Sequence, residues 1–183
     1  RFLTVDSVAG DLGIDKANAA YRLARWTGQG WLRRVRRGLY IPVPVDAENP
    51  KAWSEDPMVL AAEVWSPCYF TGWTSANHWS LTEQVFRTTV VKTSERVRAS
   101  KSRLLDHEYL LVHVPARHME WGLSTAWAAD RRLSIADPAR TIIDILDDPR
   151  LGGGIRHGAD ILASYLEEHD PLLLIDYGDR LGN

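Results

Sequence analysis

The pattern of apolar and polar positions over the first 30 residues predicts two short amphipathic helices. The first helix, capped by Thr4 or Asp6 and ended by Gly13, places apolar residues at the i, i+3, i+4, i+7 spacing of one face: Val5, Val8, Ala9 and Leu12. Asp15 is a natural N-cap for the second helix, which we expect to run to about Gln29. The apolar faces of the two helices are expected to pack on each other.

A pair of strands follows the helices. Residues 31–35 and 39–43 are rich in β-branched and aromatic side chains, and Gly38 between them can take the positive φ of a tight three-residue turn. Two helices followed by a hairpin is the order of a winged helix-turn-helix, whose first helix we expect upstream of Arg1. We therefore assign residues 1–45 to a winged helix-turn-helix domain.

Prolines mark a boundary after the hairpin. Pro42, Pro44 and Pro50 lack backbone donors and favour extended chain, so residues 46–56 are predicted to be a linker and residues 57–183 a second domain. That domain is predicted to mix helices (57–65, 75–81, 137–146, 155–167 and one from Pro171) with strands (68–71, 88–93, 109–114) and a hairpin (123–128 with 131–136). The fold class is therefore α+β, a winged helix-turn-helix followed by a mixed α/β domain.

The composition is typical of a globular protein and does not by itself indicate a function. The 183 residues are 45% hydrophobic and 25% charged, as in ordinary globular proteins. No apolar run approaches the roughly 20 residues of a membrane-spanning helix, so membrane insertion is not expected. Cys68 is the only cysteine, which leaves no intrachain disulfide and no cysteine-rich zinc site, and a cytoplasmic location is expected.

The net charge of −2 conceals an uneven distribution of charged residues. Residues 1–45 contain eight basic and three acidic side chains, a net charge of +5, whereas the remainder carries −7. A basic domain joined to an acidic one predicts that the first domain binds a polyanion.

One face of the second helix carries side chains suited to DNA. Rotation by about 100° per residue buries one set of residues: Ala20, Leu23, Ala24 and Thr27. The same rotation turns a polar set to solvent: Asn18, Arg22, Arg25 and Gln29, flanked by Tyr21 and Trp26. Asn18 and Arg22, with Tyr21 beside them, are expected to contact base edges, because Arg bonds guanine and Asn bonds adenine in the major groove. Arg25 is placed to reach phosphate.

The hairpin favours the DNA interpretation. Four arginines lie within five residues at and beside its tip: Arg33, Arg34, Arg36 and Arg37. Their mutual repulsion favours a polyanion partner, and a wing uses such residues on the phosphate backbone or in the minor groove. For the helix face alone, a solvated amphipathic surface is an equal interpretation, and RNA is an alternative to DNA.

The second domain has no comparable chemical signature. Its histidines lack metalloprotease spacing and cysteine partners, so no metal and no cofactor are expected. Gly152-Gly153-Gly154 precedes a helix, as in a phosphate cradle, but the Lys-Ser or Lys-Thr of that motif is missing and a loop is predicted. Ser75 and His78 share one predicted helix without a nucleophile elbow, so catalysis is not indicated.

Two further features of the second domain have two interpretations each. Residues 94–103 form a polar segment with a net charge of +3, whose basic residues are Arg96, Arg98, Lys101 and Arg103. The segment is an exposed flexible loop in one interpretation and a second DNA contact in the other. Five tryptophans are expected in the core or, for some, at an interface: Trp65, Trp73, Trp79, Trp121 and Trp127.

Three segments resemble one family of bacterial regulators. Residues 30–40 (GWLRRVRRGLY), 69–82 (YFTGWTSANHWSLT) and 137–144 (DPARTIID) resemble, in sequence and order, the AbiEi family of antitoxins and transcriptional regulators. The resemblance covers nearly the whole chain. Its segments are individually modest, but their order and spacing are fairly specific. Ser80 stands where relatives often have glycine.

The resemblance implies a function for each domain. It implies a winged helix-turn-helix that represses its own promoter by binding operator repeats in double-stranded DNA, through the helix and hairpin residues given above. It also implies a C-terminal domain that counters a nucleotidyltransferase-like toxin encoded beside it, in a type IV system that requires no stable toxin complex. The protein itself is then not an enzyme.

Two alternatives stay open. In the first, the second domain is a nuclease or nucleotidyltransferase that the basic domain directs to DNA. In the second, the protein is an interaction module whose basic domain docks on an acidic protein.

Overall fold

The fold is of the mixed α+β kind. Residues 2–182, the part of the chain that the computed structural model describes, contain seven α-helices and two β-sheets. Contacts group the chain into two units: Arg1–Glu55 with Leu104–Asp106, and Asp56–Arg103 with His107–Asn183. Among the described residues, no helix is both long and apolar enough to cross a membrane.

The first unit combines two helices with a small sheet. Its elements are β1 (Leu3–Thr4), α1 (Val5–Leu12), α2 (Lys16–Gly28), β2 (Leu32–Arg36) and β3 (Leu39–Pro42). The strands form an antiparallel sheet in the order β1-β3-β2. Both predicted helices and the predicted hairpin are confirmed, but the turn at Arg37–Gly38 has two residues because Arg36 pairs with Leu39. Gly38 has a φ of +80°, which glycine adopts at little cost.

Local contacts set the ends of α1 and α2. Thr4 and Ser7 cap α1 reciprocally: the Ser7 backbone N–H donates to Thr4 Oγ1 at 3.0 Å, and the Thr4 backbone N–H donates to Ser7 Oγ at 2.9 Å. Gly13 ends α1 with a φ of +63°. Asp15 then caps α2 by accepting a hydrogen bond from the Asn18 backbone N–H at 2.9 Å. These contacts fix the short connection between the two helices.

The core of the first unit lies where both helices meet the sheet. Its buried cluster consists of Val8, Ala19, Leu23, Leu32 and Tyr40. The buried face of α2 differs from the prediction, since Ala19 is buried and Ala24 is exposed. The reason is that α2 packs on the sheet as well as on α1, which turns its buried face toward Leu32 and Tyr40. Leu12, which the periodicity of α1 predicts to be buried, is 47% exposed.

The second unit is built on a six-stranded mixed sheet. Its elements are α3 (Pro57–Trp65), β4 (Cys68–Phe70), α4 (Trp73–His78), β5 (Thr88–Thr93), β6 (Lys101–Leu104), β7 (His107–His113), β8 (Leu123–Ala128), β9 (Arg131–Ala136), α5 (Pro138–Asp147), α6 (Ile155–Glu168) and α7 (Leu172–Leu181). The strand order is β6-β7-β5-β4-β9-β8. β5 is parallel to β7 and β4 to β9, whereas the pairs β4/β5 and β8/β9 are antiparallel.

Burial and capping explain the central elements of this unit. β5 is buried from Thr89 to Thr93, as expected for a central strand with both faces covered. The side chains of Asp56 and Asp137 cap α3 and α5, and a proline follows each of them in the first helical turn. α5 packs on α4 and α6 through a buried cluster that includes Ala76, Ile142, Ile145, Ile161 and Tyr165.

Two predictions for the second unit need correction. The sequence predicts an exposed loop over 94–103, but Lys101–Leu104 is the edge strand β6. Its polar composition hides it from a search for apolar alternation, and charged side chains are common on edge strands. The helix predicted over 75–81 is α4, which ends at His78, and Ser80 then has a φ of +59°. The other predicted helices and strands of this unit are confirmed, with ends that differ by at most two residues.

Candidate nucleic-acid interface

The solvent face of α2 presents the polar side chains that the sequence predicts for it. All five are exposed: Asn18, Tyr21, Arg22, Arg25 and Gln29. Tyr21 is 67% exposed, although it is a large aromatic residue. Trp26 does not flank this face, because its ring packs against the core of the unit.

Asn18 has a second role at the start of α2. Its backbone N–H and its side-chain Nδ2 both donate to the Asp15 carboxylate, at 2.9 and 2.6 Å. These hydrogen bonds, the backbone one first, lower the pKa of Asp15 and favour its ionised form. The Asn18 amide is therefore engaged in capping the helix, a role that the sequence analysis does not assign to it.

The tip of the hairpin exposes three of its four arginines, Arg34, Arg36 and Arg37. Within residues 2–182, none of these three forms an ion pair, and neither does Arg22 or Arg25 on α2. The first unit therefore displays five cationic side chains that no described acidic residue compensates. Exposed guanidinium groups on a helix and a hairpin of one unit are suited to contact phosphates.

Arg33 differs from the other hairpin arginines. Its side chain is only 19% exposed, and Nη1 donates to Asp106 Oδ2 at 3.0 Å and to the backbone carbonyl of Trp53. Asp106 and Trp53 belong to the same unit as the hairpin. Arg33 is thus held by protein partners, unlike its three exposed neighbours in the hairpin. Burial of this kind depends on residues 20 and 73 positions away in the chain, which the local pattern does not reveal.

Trp31 is a surface residue that the sequence analysis does not single out. It directly precedes β2 and is 60% exposed. Its backbone is fixed, because its N–H donates to the Trp26 carbonyl at 3.0 Å and its carbonyl accepts from the Val43 N–H at 2.9 Å. An aromatic residue beside an arginine-rich strand is the signal that could have identified it.

The second group of basic residues belongs to the second unit. All four are exposed: Arg96, Arg98, Lys101 and Arg103. The first two precede β6, and the last two lie on it. The basic group is therefore divided between a segment without regular structure and the edge of the sheet, rather than forming one flexible loop.

A buried polar cluster lies in the second unit, around Asp144 of α5. The Asp144 carboxylate accepts hydrogen bonds from Tyr69 Oη (3.1 Å), Thr71 Oγ1 (2.7 Å), Lys92 Nζ (2.8 Å) and Arg140 Nε (2.9 Å). None of these five side chains is more than 2% exposed. The sequence pattern does not predict this cluster. Its one local signal is an Arg and an Asp at i, i+4 on α5, a helix whose neighbouring residues are buried and mostly apolar.

Cations outnumber carboxylates in this cluster. The Arg140 guanidinium stacks on Trp121, 3.4 Å from the ring centroid, and its Nη2 donates to Tyr69 Oη at 2.9 Å. Its Nη1 is buried without a hydrogen-bond partner among the described residues. The pKa of His118 is lowered, mainly by burial and secondly by the Arg140 charge. The pKa of Tyr69 is raised, mainly by burial and secondly by the Asp144 charge. Both side chains are therefore mainly uncharged at neutral pH.

The cluster has the character of a structural element. Asp144 is enclosed and already accepts four hydrogen bonds, which leaves its carboxylate little capacity for a substrate. In the part of the chain that the structure describes, no three His, Cys, Asp or Glu side chains are placed to hold a metal ion. The arginines of α2 and of the hairpin tip, in contrast, are exposed and accessible to a ligand.

No protein-family model matches the chain, and no curated protein matches it either.

Proposed function

We propose that this protein is a DNA-binding transcriptional repressor that serves as an antitoxin. The observation that carries the proposal is the display of uncompensated guanidinium groups in the first unit, on α2 (Arg22, Arg25) and at the hairpin tip (Arg34, Arg36, Arg37). Two helices with a tight connection, followed by an arginine-tipped hairpin, are the parts that a winged helix-turn-helix uses on DNA. Their order supports that fold for the first unit.

The proposed contacts follow from the chemistry of each side chain. α2 enters the major groove, where Arg22 bonds guanine and the exposed Tyr21 contacts a base edge or a thymine methyl group. Arg25, further along the same face, reaches phosphate. Arg34, Arg36 and Arg37 hold the hairpin on the backbone or in the minor groove, which positions the helix without reading sequence.

The proposed site of action is the promoter of the gene that encodes the protein. The support is the resemblance to the AbiEi family, in which such a domain occupies operator repeats and blocks promoter access. The same resemblance supports an antitoxic role for the second unit, against a nucleotidyltransferase-like toxin and without a stable complex. Of the two proposed activities, repression is the one that the exposed arginines directly support.

The experiment that tests the proposal is a binding titration of the full chain. Fluorescence anisotropy compares a labelled duplex from the region upstream of its own gene with a scrambled duplex of the same composition, across a salt series. We expect tighter binding to the upstream duplex, by about 10³-fold or more, and a steep loss of affinity with rising salt.

Two outcomes contradict the proposal. Equal affinity for the two duplexes at every salt concentration rules out sequence-selective repression. Tighter binding to a single-stranded RNA of the same sequence than to either duplex assigns the basic surface to RNA.

A further inference from the structure

The second unit contains a pocket beside the edge of its sheet. It is an open pocket with a volume of about 490 Å³, and its lining residues come from α4 and the strands β5, β6 and β7: Trp73, Thr88, Lys101, Ser102, Arg103, Glu108, Tyr109 and Leu110. A volume of this order falls in the usual range for small-molecule sites in proteins. All of these lining residues belong to the second unit.

One wall of the pocket is a fixed aromatic ring. The indole of Trp73 stacks on Phe86, with ring centroids 4.5 Å apart and planes inclined by 16°. Its Nε1–H donates to the Thr88 carbonyl at 2.5 Å, which anchors the ring to the start of β5. A ring held on one face and at its polar edge provides a rigid platform for a planar group.

The cationic side chains of the pocket come from β6. Lys101 and Arg103 are exposed and both line the pocket, and the charged residue on the neighbouring strand β7 is Glu108. Glu108 is paired in register with Thr88 of β5, the residue whose carbonyl holds the Trp73 indole. The pocket therefore combines an aromatic platform, two cations and one carboxylate acceptor.

We propose that this pocket binds a nucleotide. The base stacks on Trp73, the phosphate lies at Lys101 and Arg103, and Glu108 accepts a hydrogen bond from a base amino group or a ribose hydroxyl. Proteins that bind single-stranded nucleic acid stack the bases on aromatic side chains and hold the phosphates with cationic ones. An acidic peptide would satisfy the cations but would leave the aromatic platform without a planar partner.

The inference does not rest on the proposed function, because the pocket and the duplex-binding surface belong to different units. The nucleotide can be free in solution or part of a single strand. The chemistry of recognition is the same in both cases, so the two sources are separated by the choice of probe.

The test is an NMR titration of the full chain labelled with ¹⁵N. The indole N–H signal of Trp73 and the amide signals of β6 and β7 are followed on addition of adenosine monophosphate, a deoxyadenosine hexamer or inorganic phosphate. Saturable shifts with adenosine monophosphate support a site for free nucleotides, and shifts with the hexamer alone support a site for a strand. If the Trp73 signal stays in place with all probes, or if inorganic phosphate reproduces every shift, the proposal is wrong.

A pair of double variants completes the test. Lys101→Ala with Arg103→Ala removes the cations from exposed positions, and we expect it to weaken nucleotide binding by about tenfold, since each contact to phosphate is largely electrostatic. The matched control is Arg132→Ala with Arg156→Ala, which removes the same charge from exposed positions of the same unit outside the pocket. Equal weakening in both double variants would mean that net charge, rather than this pocket, attracts the nucleotide.

Discussion

The interior of the second unit holds two cations around one carboxylate. Lys92 and Arg140 both contact Asp144, and all three side chains are at most 2% exposed. Charges removed from water are costly unless they are paired and hydrogen-bonded, so each member of this group depends on the others. Asp144 is the member on which both cations depend.

Replacing Asp144 with alanine therefore leaves two buried cations without a counter-ion. We expect Asp144→Ala to lower the free energy of unfolding by about 3–5 kcal/mol, measured by urea denaturation followed by circular dichroism. Asp160→Ala, at an exposed position on α6, is the matched control and should change it by less than about 0.5 kcal/mol. A variant at Asp144 as stable as the control would show that the cluster contributes little.

Arg22 is the residue on which the proposed base recognition most depends. We expect Arg22→Ala to reduce the preference for the upstream duplex over the scrambled one by about 1–3 kcal/mol, the usual range for one bidentate contact to a base. Its affinity for the scrambled duplex should fall much less. Fluorescence anisotropy with both duplexes measures the two effects, and Arg132→Ala serves as the control for loss of one positive charge. Unchanged preference in the Arg22 variant would place base recognition elsewhere.

The turn between β4 and α4 leaves no room for a side chain at Gly72. Gly72 has a φ of +61°, and a Cβ added to it would lie 2.3 Å from the Leu151 carbonyl oxygen. The Leu151 backbone belongs to the 3-10 turn Pro149–Gly152. A close approach of two backbones explains why glycine is required at the start of α4.

Gly72→Ala should consequently be strongly destabilising. We expect a loss of more than about 2 kcal/mol, from the left-handed backbone and the clash together, measured as a lower denaturation midpoint. Gly178→Ala is the matched control, because this helical glycine of α7 has no neighbour within 4 Å of an added Cβ. That variant should be neutral or more stable by up to about 1 kcal/mol. Equal midpoints for the two variants would contradict the close approach at Gly72.

The hairpin is the element proposed to hold the phosphate backbone. We expect the double variant Arg36→Ala, Arg37→Ala to weaken binding to both duplexes alike and to reduce the slope of log affinity against log salt by about 1.8, since each phosphate contact contributes about 0.9. The control is Arg132→Ala with Arg156→Ala, which removes the same charge from the second unit. If both double variants lower the slope equally, the hairpin has no special role.

At the scale of the whole molecule, a net charge of −2 describes neither part of the chain. The cationic excess lies in the first 45 residues, and the acidic excess lies in the rest. Such an asymmetry allows a protein with an overall negative charge to bind a polyanion through one unit.

The stability of the folded chain should also depend on pH through His118. Burial and the Arg140 charge lower the pKa of this imidazole from 6.5, so the folded state resists a proton that the unfolded state accepts. The contribution of His118 is therefore present above about pH 6.5 and is lost as the pH falls below it.

Urea denaturation at pH 7.5 and pH 5.5 checks this expectation. His118→Gln removes the titrating group, so the variant should lose less stability than the original chain between the two pH values. An equal loss in both proteins would assign the pH dependence to other groups.

Some features of this protein are determined by the sequence alone, because their causes lie within a few residues. Asp15, Asp56 and Asp137 cap helices through hydrogen bonds that span two or three residues. The hairpin formed by β8 and β9 follows from two apolar runs and a two-residue connection. The exposed polar face of α2 also follows from local periodicity.

Other features were decided only by the tertiary structure, because their partners are distant in the chain. Asp144 meets Tyr69 and Lys92 across 75 and 52 residues, and Arg33 meets Asp106 across 73. The buried side of α2 was set by the sheet on which it packs, and the strand β6 by pairing at the edge of its sheet. Sequence periodicity gives the faces of an element, whereas burial depends on which other elements cover them.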